Sequence, residues 1–472
     1  MTLWEKIANR EAQIAVIGLG YVGLPFAIEF ARLGFRVVGL DVNADRIAEL
    51  RRGESYIRDI LAGDVASVVN SGHLVPTTDY ETLRQVDIVF ICVPTPFSTM
   101  KTPDLGFIIE AAEGIAARLC PGQLIILVST TFPGTTEEVV LPILEKSGLR
   151  AGKDFYLAFS PERINPGDKH HTLRNTPKVV GGLTPLCADL SRFLLSQITP
   201  HVHVVSTPRA AEMTKLLENI YRSVNIALVN ELAILSERMG INLWEVIEAA
   251  ATKPFGYMPF TPGPGTGGHC IPVDPYYLSW KAREYDFFTK FIEIAAEVNQ
   301  AMPYHVVQLV TEALNRRGRP LAGSRILVLG AAFKKDVDDA RNSPSARVIE
   351  LLLERGAQTE YHDPYVPHFK VGDDVFHRES YELTSVPLDA ERLASSDCVV
   401  IVTGHSCHDY AWIVQHAPLV VDAVNATKGK ASDMNKVVRL GAPIKLSTPE
   451  GAITSESKVS STNSFSSTPA GI

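Results

Sequence analysis

The chain has 472 residues, 46% hydrophobic and 21% charged, with a formal net charge of -8. That composition belongs to a folded globular protein of about two to four domains and excludes a disordered or fibrous one. No long run of Lys and Arg occurs, which argues against nucleic acid or an anionic membrane as partner.

The N-terminus, MTLWEKIANREAQ, lacks the basic-then-apolar layout of a signal peptide. The nearest approach to an apolar span, residues 12–28, is interrupted by Gln13, Gly18, Gly20, Gly23 and Pro25. It is shorter than the about 20 apolar residues a membrane helix needs. A cytoplasmic protein without a membrane partner is expected.

Folded structure is expected to open at QIAVIGLGYVGLPFAIEFARLGFRVVGLD. Ile14 to Ile17 reads as a strand, Gly18, Gly20 and Gly23 as a turn entering a helix, and the run ending at Asp41 as a second strand. Further strands are expected at 86–93 and 124–129. This predicts a parallel, doubly wound α/β domain over residues 1–205. Thr207 and Pro208 then read as an N-cap and first turn, and the pattern stays helical to a stop at Gly240. Helices are expected at 244–251 and from Pro275 to about Arg316, giving a helical central domain over 206–318. A second Rossmann-like unit, 319–446, has predicted strands ending at Gly330 and Asp363, a helix from Ser343 to Glu354, and strands at 398–403 and 419–422. Residues 447–472 are rich in Ser and Thr and poor in aromatics, so disorder is expected there.

Several residues carry chemistry. Gly18 suits the tight turn, Gly20 the approach of a pyrophosphate, and Gly23 close helix–strand packing. Asp41, at the end of the second strand, can accept from a ribose diol and would repel a 2′-phosphate, which favours NAD over NADP. Lys215 and Asn219 lie four apart and share a helix face. Neighbours on that stripe, Met213, Leu216, Leu217 and Ile220, read as core, and a solvated lysine beside a surface asparagine is the commoner outcome. Lys334 and Lys335 follow a strand of the second unit, where ligands of α/β sheets bind. Two exposed lysines would look the same.

The stretch TPGPGTGGHCIPVDP, 261–275, gathers four glycines and four prolines around Cys270. Pro275 reads as the start of a helix with Asp274 as its N-cap. A helix N-terminus close behind a thiol favours the thiolate, and the glycines leave room for a ligand against the backbone. His269 reads as a scaffold residue. Of the other five cysteines, Cys92 and Cys398 lie in apolar strand-like runs and are expected to be inert core. No CxxC pair and no zinc spacing occurs among the cysteines, so no metal is expected.

Taken together, AVIGLGYVGLP, STTFPGTT, SPERINPG, AAEMTKLLEN, GPGTGGHCIPVDP and AAFKKDVDDARNSP resemble the UDP-glucose/GDP-mannose dehydrogenase family over residues 12–446. Within it, SPER..PG, ATKPFG and PYYLSWKAREYD look most like the bacterial UDP-N-acetyl-D-glucosamine 6-dehydrogenases, which feed uronic acids into surface polysaccharides. The resemblance implies two NAD-dependent oxidations of a sugar C6 alcohol, with Cys270 holding the intermediate as a thiohemiacetal and then a thioester. It implies Lys215 and Asn219 as oxyanion stabilisers, Asp274 as base with a water, and Thr130 and Glu162 near C6 and the hydrolytic water. Cofactor contacts would come from Gly18, Gly20, Tyr21, Val22, Gly23, Asp41, Arg46, Pro94, Thr95, Thr130 and Arg341. Substrate contacts would come from Glu162, Arg163, Lys215, Asn219, Tyr257, Gly265, Gly267, Gly268, Phe333 and Lys334. The family dimerises through the long helix, so a homodimer or larger homo-oligomer is implied.

Two departures stand out. Pro166 replaces a glutamate of the glucose-specific branch, which favours an N-acetylhexosamine without choosing gluco over manno. Where the family carries Asp-x-Arg-Asn, this chain reads Asp422, Ala423, Val424, Asn425, so an arginine contact to the nucleotide sugar is missing. A UDP-N-acetyl-D-mannosamine dehydrogenase, or a non-catalytic NAD-linked sensor, are the competing expectations.

Overall fold

The computed structural model describes residues 1–57, 60–96, 102–164, 170–268, 271, 273–374, 377–430 and 434–446. Regular structure begins earlier than expected. Helix α1, Leu3–Ala8, is closed by a reciprocal Thr2–Glu5 capping box, and Trp4 packs on Phe193 with ring centroids 5.0 Å apart.

Eight strands form the first sheet: β1 Gln13–Ile17, β2 Arg36–Leu40, β3 Leu74–Thr77, β4 Ile88–Ile91, β5 Leu124–Leu127, β6 Tyr156–Phe159, β7 Lys178–Gly182 and β8 Val202–Val205, in the order β3-β2-β1-β4-β5-β6-β7-β8. The strands β4 and β5 are buried at every position, because helices cover both faces. Helix α2, Gly23–Arg32, sends Phe26 and Phe30 onto Phe90 of β4, with centroids 5.5 and 5.4 Å apart. The wholly parallel sheet expected from sequence is corrected at one pair. β6 and β7 run antiparallel. A parallel return needs a crossover element, and among the described residues between these strands there is no helix.

Helix α3 runs Pro208–Met239 with the expected ends. The Thr207 hydroxyl accepts from the Ala210 N–H at 3.2 Å, and Gly240 stops the helix at φ 73°. The expected core stripe is wrong in part. Leu216 is buried, but Met213 and Leu217 are 38% and 59% exposed, while Lys215 and Asn219 are buried. One face of α3 meets the first sheet, and on the other Leu217, Tyr221, Leu228 and Leu235 are exposed among the described residues.

Helices α4 Leu243–Ala251, α5 Asp274–Ala282 and α6 Lys290–Arg316 follow. The helices expected between Pro275 and about Arg316 divide at Asp286, which has φ 53°. Asn230 and Asn299 pin α6 to α3: Asn230 Nδ2 donates to Asn299 Oδ1 at 2.9 Å, and Asn299 Nδ2 to the Ser223 carbonyl at 3.1 Å.

The second sheet is parallel throughout, in the order β10-β9-β13-β14-β15. Its strands are β9 Arg325–Leu329, β10 Gln358–His362, β13 Cys398–Ile401, β14 Val420–Asp422 and β15 Val437–Arg439, with helix α7, Pro344–Glu354, after β9. The separate hairpin of β11, His368–Asp374, and β12, His377–Thr384, and the short strand β15 were not foreseen. The tail 447–472 lies outside the described residues.

Candidate active site

The first turn has three glycines with three different reasons. At Gly18, φ is 89° and a Cβ would sit 2.7 Å from the Cys92 carbonyl oxygen. At Gly23 it would sit 1.9 Å from the Gly18 carbonyl oxygen. At Gly20 nothing lies within 4 Å, so the backbone there faces open space at the start of α2. Asp41 is buried. Its Oδ2 accepts from the Leu19 N–H at 2.8 Å and its Oδ1 from the Asn43 N–H at 2.9 Å. Further acceptor positions on each oxygen suit a ribose diol. Arg46 stands 3.8 Å from Asp41 and lies over the Tyr56 ring at 5.3 Å. This cradle fits NAD.

Around it, Val22 precedes α2 and Tyr21 is exposed, with the Arg341 guanidinium 5.1 Å above its ring. Arg341 comes from the second α/β unit and is paired with Asp339 at 2.6 Å. Pro94 is exposed, Thr95 is buried, and the Thr95 carbonyl accepts from the Tyr277 hydroxyl of α5. Thr130 is half-buried beyond the end of β5.

A second cluster lies along α3. Lys215 donates through Nζ to the Glu162 carbonyl oxygen at 2.7 Å. The Glu162 carboxylate takes Lys178 Nζ at 2.5 Å on Oε2 and the Arg163 and Ile164 N–H groups at 2.7 and 2.8 Å on Oε1. Lys178 is completely buried and lies 4.4 Å over the Phe26 ring, and burial pushes its amine pKa down. Arg163 pairs with Glu218 at 2.6 Å and donates to the Pro177 carbonyl at 2.8 Å.

One turn on, Asn219 Nδ2 donates to Asp274 Oδ2 at 2.5 Å, and Arg222 Nη2 donates to Asn219 Oδ1 at 2.6 Å. The expected N-cap role of Asp274 is therefore corrected. Asp274 is the first residue of α5, no side chain caps that helix, and its carboxylate turns to α3 instead. Burial pushes its carboxyl up to about 6, against the opposing pull of Lys215, Asn219 and Arg222. Cys270, the thiol expected here, and His269 lie outside the described residues, as does Pro166. Cys92 and Cys398 are buried, and burial pushes both thiols up.

A cavity of about 590 Å³ opens beside this cluster, lined by Arg222, Gly263, Gly265, Phe333, Lys334 and Val424 among others. Lys335 also reaches it. Tyr257 is 38% exposed. The glycines have a structural role that sequence reading did not foresee. A Cβ would lie 2.9 Å from the Asn299 carbonyl oxygen at Gly265, where φ is 125°, and 2.7 Å from Phe333 Cβ at Gly267. At Gly268 it would lie 2.9 Å from Phe333 Cε2. Their missing side chains let this loop close onto α6 and onto the loop after β9. The Gly268 N–H donates to the Arg341 carbonyl at 3.0 Å, and Asn342 Nδ2 donates to the Gly268 carbonyl at 3.1 Å.

Arg222, Lys178 and Glu212 were not singled out from sequence. The 215, 219, 222 spacing is a helical stripe and could have exposed Arg222. Nothing local marks the other two. Among the described residues no cluster of three metal-binding side chains occurs, and no helix is long and apolar enough to cross a membrane.

Comparison with known proteins agrees with this layout. The NAD binding domain of the UDP-glucose/GDP-mannose dehydrogenase family matches residues 12–199, its central domain 209–301, and its UDP binding domain 327–429. The chain belongs to that family. It is an NAD-dependent UDP-sugar 6-dehydrogenase. A UDP-N-acetyl-D-glucosamine 6-dehydrogenase of Pseudomonas aeruginosa is 40% identical over 399 residues, covering 84% of this dehydrogenase and 91% of the relative. A UDP-N-acetyl-D-mannosamine dehydrogenase of Pyrococcus horikoshii is 39% identical over 355 residues, covering 75% and 84%. The solved structure of the UDP-D-ManNAc dehydrogenase from Pyrococcus horikoshii superposes with a TM-score of 0.82 at 33% identity, covering 92% of this chain and 100% of that one.

Proposed function

We propose that this dehydrogenase oxidises the C6 alcohol of a UDP-N-acetylhexosamine, UDP-N-acetyl-D-glucosamine first, to the uronic acid. The observation that carries the reading is the buried Lys215–Asn219–Asp274 group, which lies beside a cavity holding three cations. The relative at 40% identity favours the gluco substrate. Those at 39% identity and at TM-score 0.82 keep the manno epimer as a second reading. A non-catalytic sensor would have no need of a buried carboxylate held near neutrality.

NAD, when bound, accepts a hydride from C6 in each of two oxidations. In the first, Asp274, through a water, takes the proton from the C6 hydroxyl. Lys215 and Asn219 donate to the C6 oxygen as negative charge develops there. The Cys270 thiolate then bonds to the aldehyde carbon and the oxygen takes a proton, giving a thiohemiacetal. The second oxidation removes the carbon's remaining hydrogen and the hydroxyl proton, leaving a thioester. A water activated by Asp274 attacks that carbon, the C–S bond breaks, and the carboxylate leaves with the thiol restored. Glu162 holds Lys215 through its carbonyl, and Thr130 flanks C6.

Cofactor contacts are assigned to Gly18, Gly20, Tyr21, Val22, Gly23, Asp41, Arg46, Pro94, Thr95 and Thr130 of the 1–205 unit and to Arg341 of the loop after β9. The 206–318 unit carries the reacting groups. The 319–446 unit holds UDP through Phe333 and Lys334, with Arg163, Tyr257 and the glycines at 265, 267 and 268 closing around the sugar. The exposed apolar face of α3 supports a homodimer. A cytoplasmic enzyme feeding uronic acid to surface polysaccharide is the biological reading.

The test is absorbance of NADH with NAD and each UDP-sugar epimer. Two NADH per sugar are expected, with higher catalytic efficiency for the gluco epimer. No turnover with any UDP-sugar would support the sensor. Cys270→Ser should bind UDP-sugar yet form no acid, and substantial acid from it would remove the thiol from the mechanism.

A further inference from the structure

The loop after β9 presents Phe333, Lys334 and Lys335 to the 590 Å³ cavity. A loop that meets a ligand must have its ends fixed, or binding has to order it first. The near end is fixed by Asp363, which is buried at the end of β10. Its Oδ2 accepts from the Ala331 and Ala332 N–H groups at 2.7 and 2.9 Å. Its Oδ1 accepts from the Tyr365 and Val366 N–H groups at 2.8 and 3.1 Å.

At the far end stands Asp336. Its φ of 63° is left-handed, an uncommon conformation for a residue with a Cβ, and neighbouring groups hold it there. Its carboxylate accepts from the Ser406 N–H at 2.8 Å and the Ser406 hydroxyl at 2.7 Å. Its own N–H donates to Nδ1 of His405 at 3.0 Å.

His405 follows β13, is completely buried, and takes no part in the proposed reaction. A backbone N–H can only donate, so Nδ1 accepts and the ring proton sits on Nε2. From there it is donated to Asp363 Oδ2 at 3.0 Å. One imidazole thus ties the carboxylate at the near end of the loop to the backbone at its far end. The ring is packed edge-on by Tyr365 at 5.0 Å, and the His405 carbonyl accepts from the Tyr410 hydroxyl at 3.0 Å. Thr403 and Gly404 reach the cavity wall and His405 does not, so its effect passes through the loop.

We propose that His405 is a positioning residue for the nucleotide: by bridging Asp363 and the Asp336 N–H it sets the loop so that Phe333 and Lys334 meet the UDP of the substrate. The inference rests on the proposed assignment of Phe333 and Lys334 to UDP.

The experiment uses the full chain and the variants His405→Ala, His405→Asn and His405→Gln. UDP is titrated calorimetrically, and kcat is measured with KM for NAD and for the UDP-sugar. His405→Ala loses both contacts and should weaken UDP, and raise KM for the UDP-sugar, about tenfold. Its kcat and its KM for NAD should stay within about twofold of wild type. An Asn amide oxygen falls near the place of Nδ1 and a Gln amide nitrogen near that of Nε2, so each keeps one contact and should recover part of the loss. A merely structural histidine would lower the active fraction, and so kcat, without moving KM. Because His405 acts through the loop that carries Lys334, the double variant Lys334→Ala/His405→Ala should lose less affinity than the product of the two single losses. Wild-type UDP affinity in a folded His405→Ala protein overturns the proposal, as does a fall in kcat with KM unchanged, or losses that multiply. Should His405→Ala not fold, wild-type UDP affinity in both the Asn and Gln variants overturns it. Wild-type UDP affinity in both Phe333→Ala and Lys334→Ala would instead remove the underlying reading, whatever the His405 variants show.

Discussion

Asn219 of the long helix donates to Asp274 at 2.5 Å, although 55 residues separate them in sequence. Asp274 is 1% exposed, and burial pushes its carboxyl up to about 6 from 3.8. As the proposed base it must be ionised, so kcat is expected to fall about tenfold per pH unit below about 6 and to level off above it. The linkage has the opposite sense. A carboxyl raised in the folded state stabilises most below its unfolded pKa, and that contribution is lost as pH rises through about 6. Asp274→Asn should therefore abolish turnover yet raise stability in mild alkali by about 1–3 kcal/mol. Denaturant unfolding at two pH values checks the sign.

On the proposed cofactor assignment a 2′-phosphate would face Asp41, whose carboxylate already orders the Leu19 and Asn43 N–H groups. Like charges in a partly dry site cost several kcal/mol. Catalytic efficiency with NADP should be lower than with NAD by about a hundredfold or more, and Asp41→Asn should narrow the gap. Equal rates with both cofactors in the wild-type enzyme would end the Asp41 assignment.

Glu212 is completely buried one turn before Lys215. Its carboxylate accepts the Gly134 N–H at 2.5 Å, the Thr136 N–H at 2.9 Å and the Thr136 hydroxyl at 2.6 Å. Burial pushes its carboxyl up, and truncation to Ala takes the carboxylate away from these three buried donors. Glu212→Ala should lose about 2–5 kcal/mol of stability, and Glu212→Gln much less, because the amide keeps one acceptor oxygen. Urea midpoints measure this, and an Ala variant within about 0.5 kcal/mol of wild type would contradict it.

Val424 presents an aliphatic wall to the cavity that Arg222, Lys334 and Lys335 also line. Val424→Arg adds a forked donor within that space. KM for the UDP-sugar should fall about tenfold with a smaller change in kcat, because the contact helps ground and transition states alike. An unchanged or raised KM would mean that the position does not reach the substrate.

The features legible in sequence were the ones set by neighbours along the chain. The Gly18, Gly20, Gly23 turn follows from backbone geometry between one strand and the next helix. The limits of the long helix follow from the Thr207 hydroxyl, the Pro208 ring and a left-handed Gly240. The family itself was legible because its motifs are local and ordered. Tertiary structure decided the rest. Lys215 and Asn219 are core and Leu217 is surface because burial depends on which segments pack on α3, and a helical stripe does not name its partner. Asp274 abandons the cap because its carboxylate meets the buried Asn219 amide of α3, a partner that only tertiary packing supplies. The antiparallel β7 and the β11–β12 hairpin are set by how the chain returns to its sheet. Gly267 and Gly268 answer to Phe333, more than sixty residues away, a contact that exists only once the loop after β9 has folded over them.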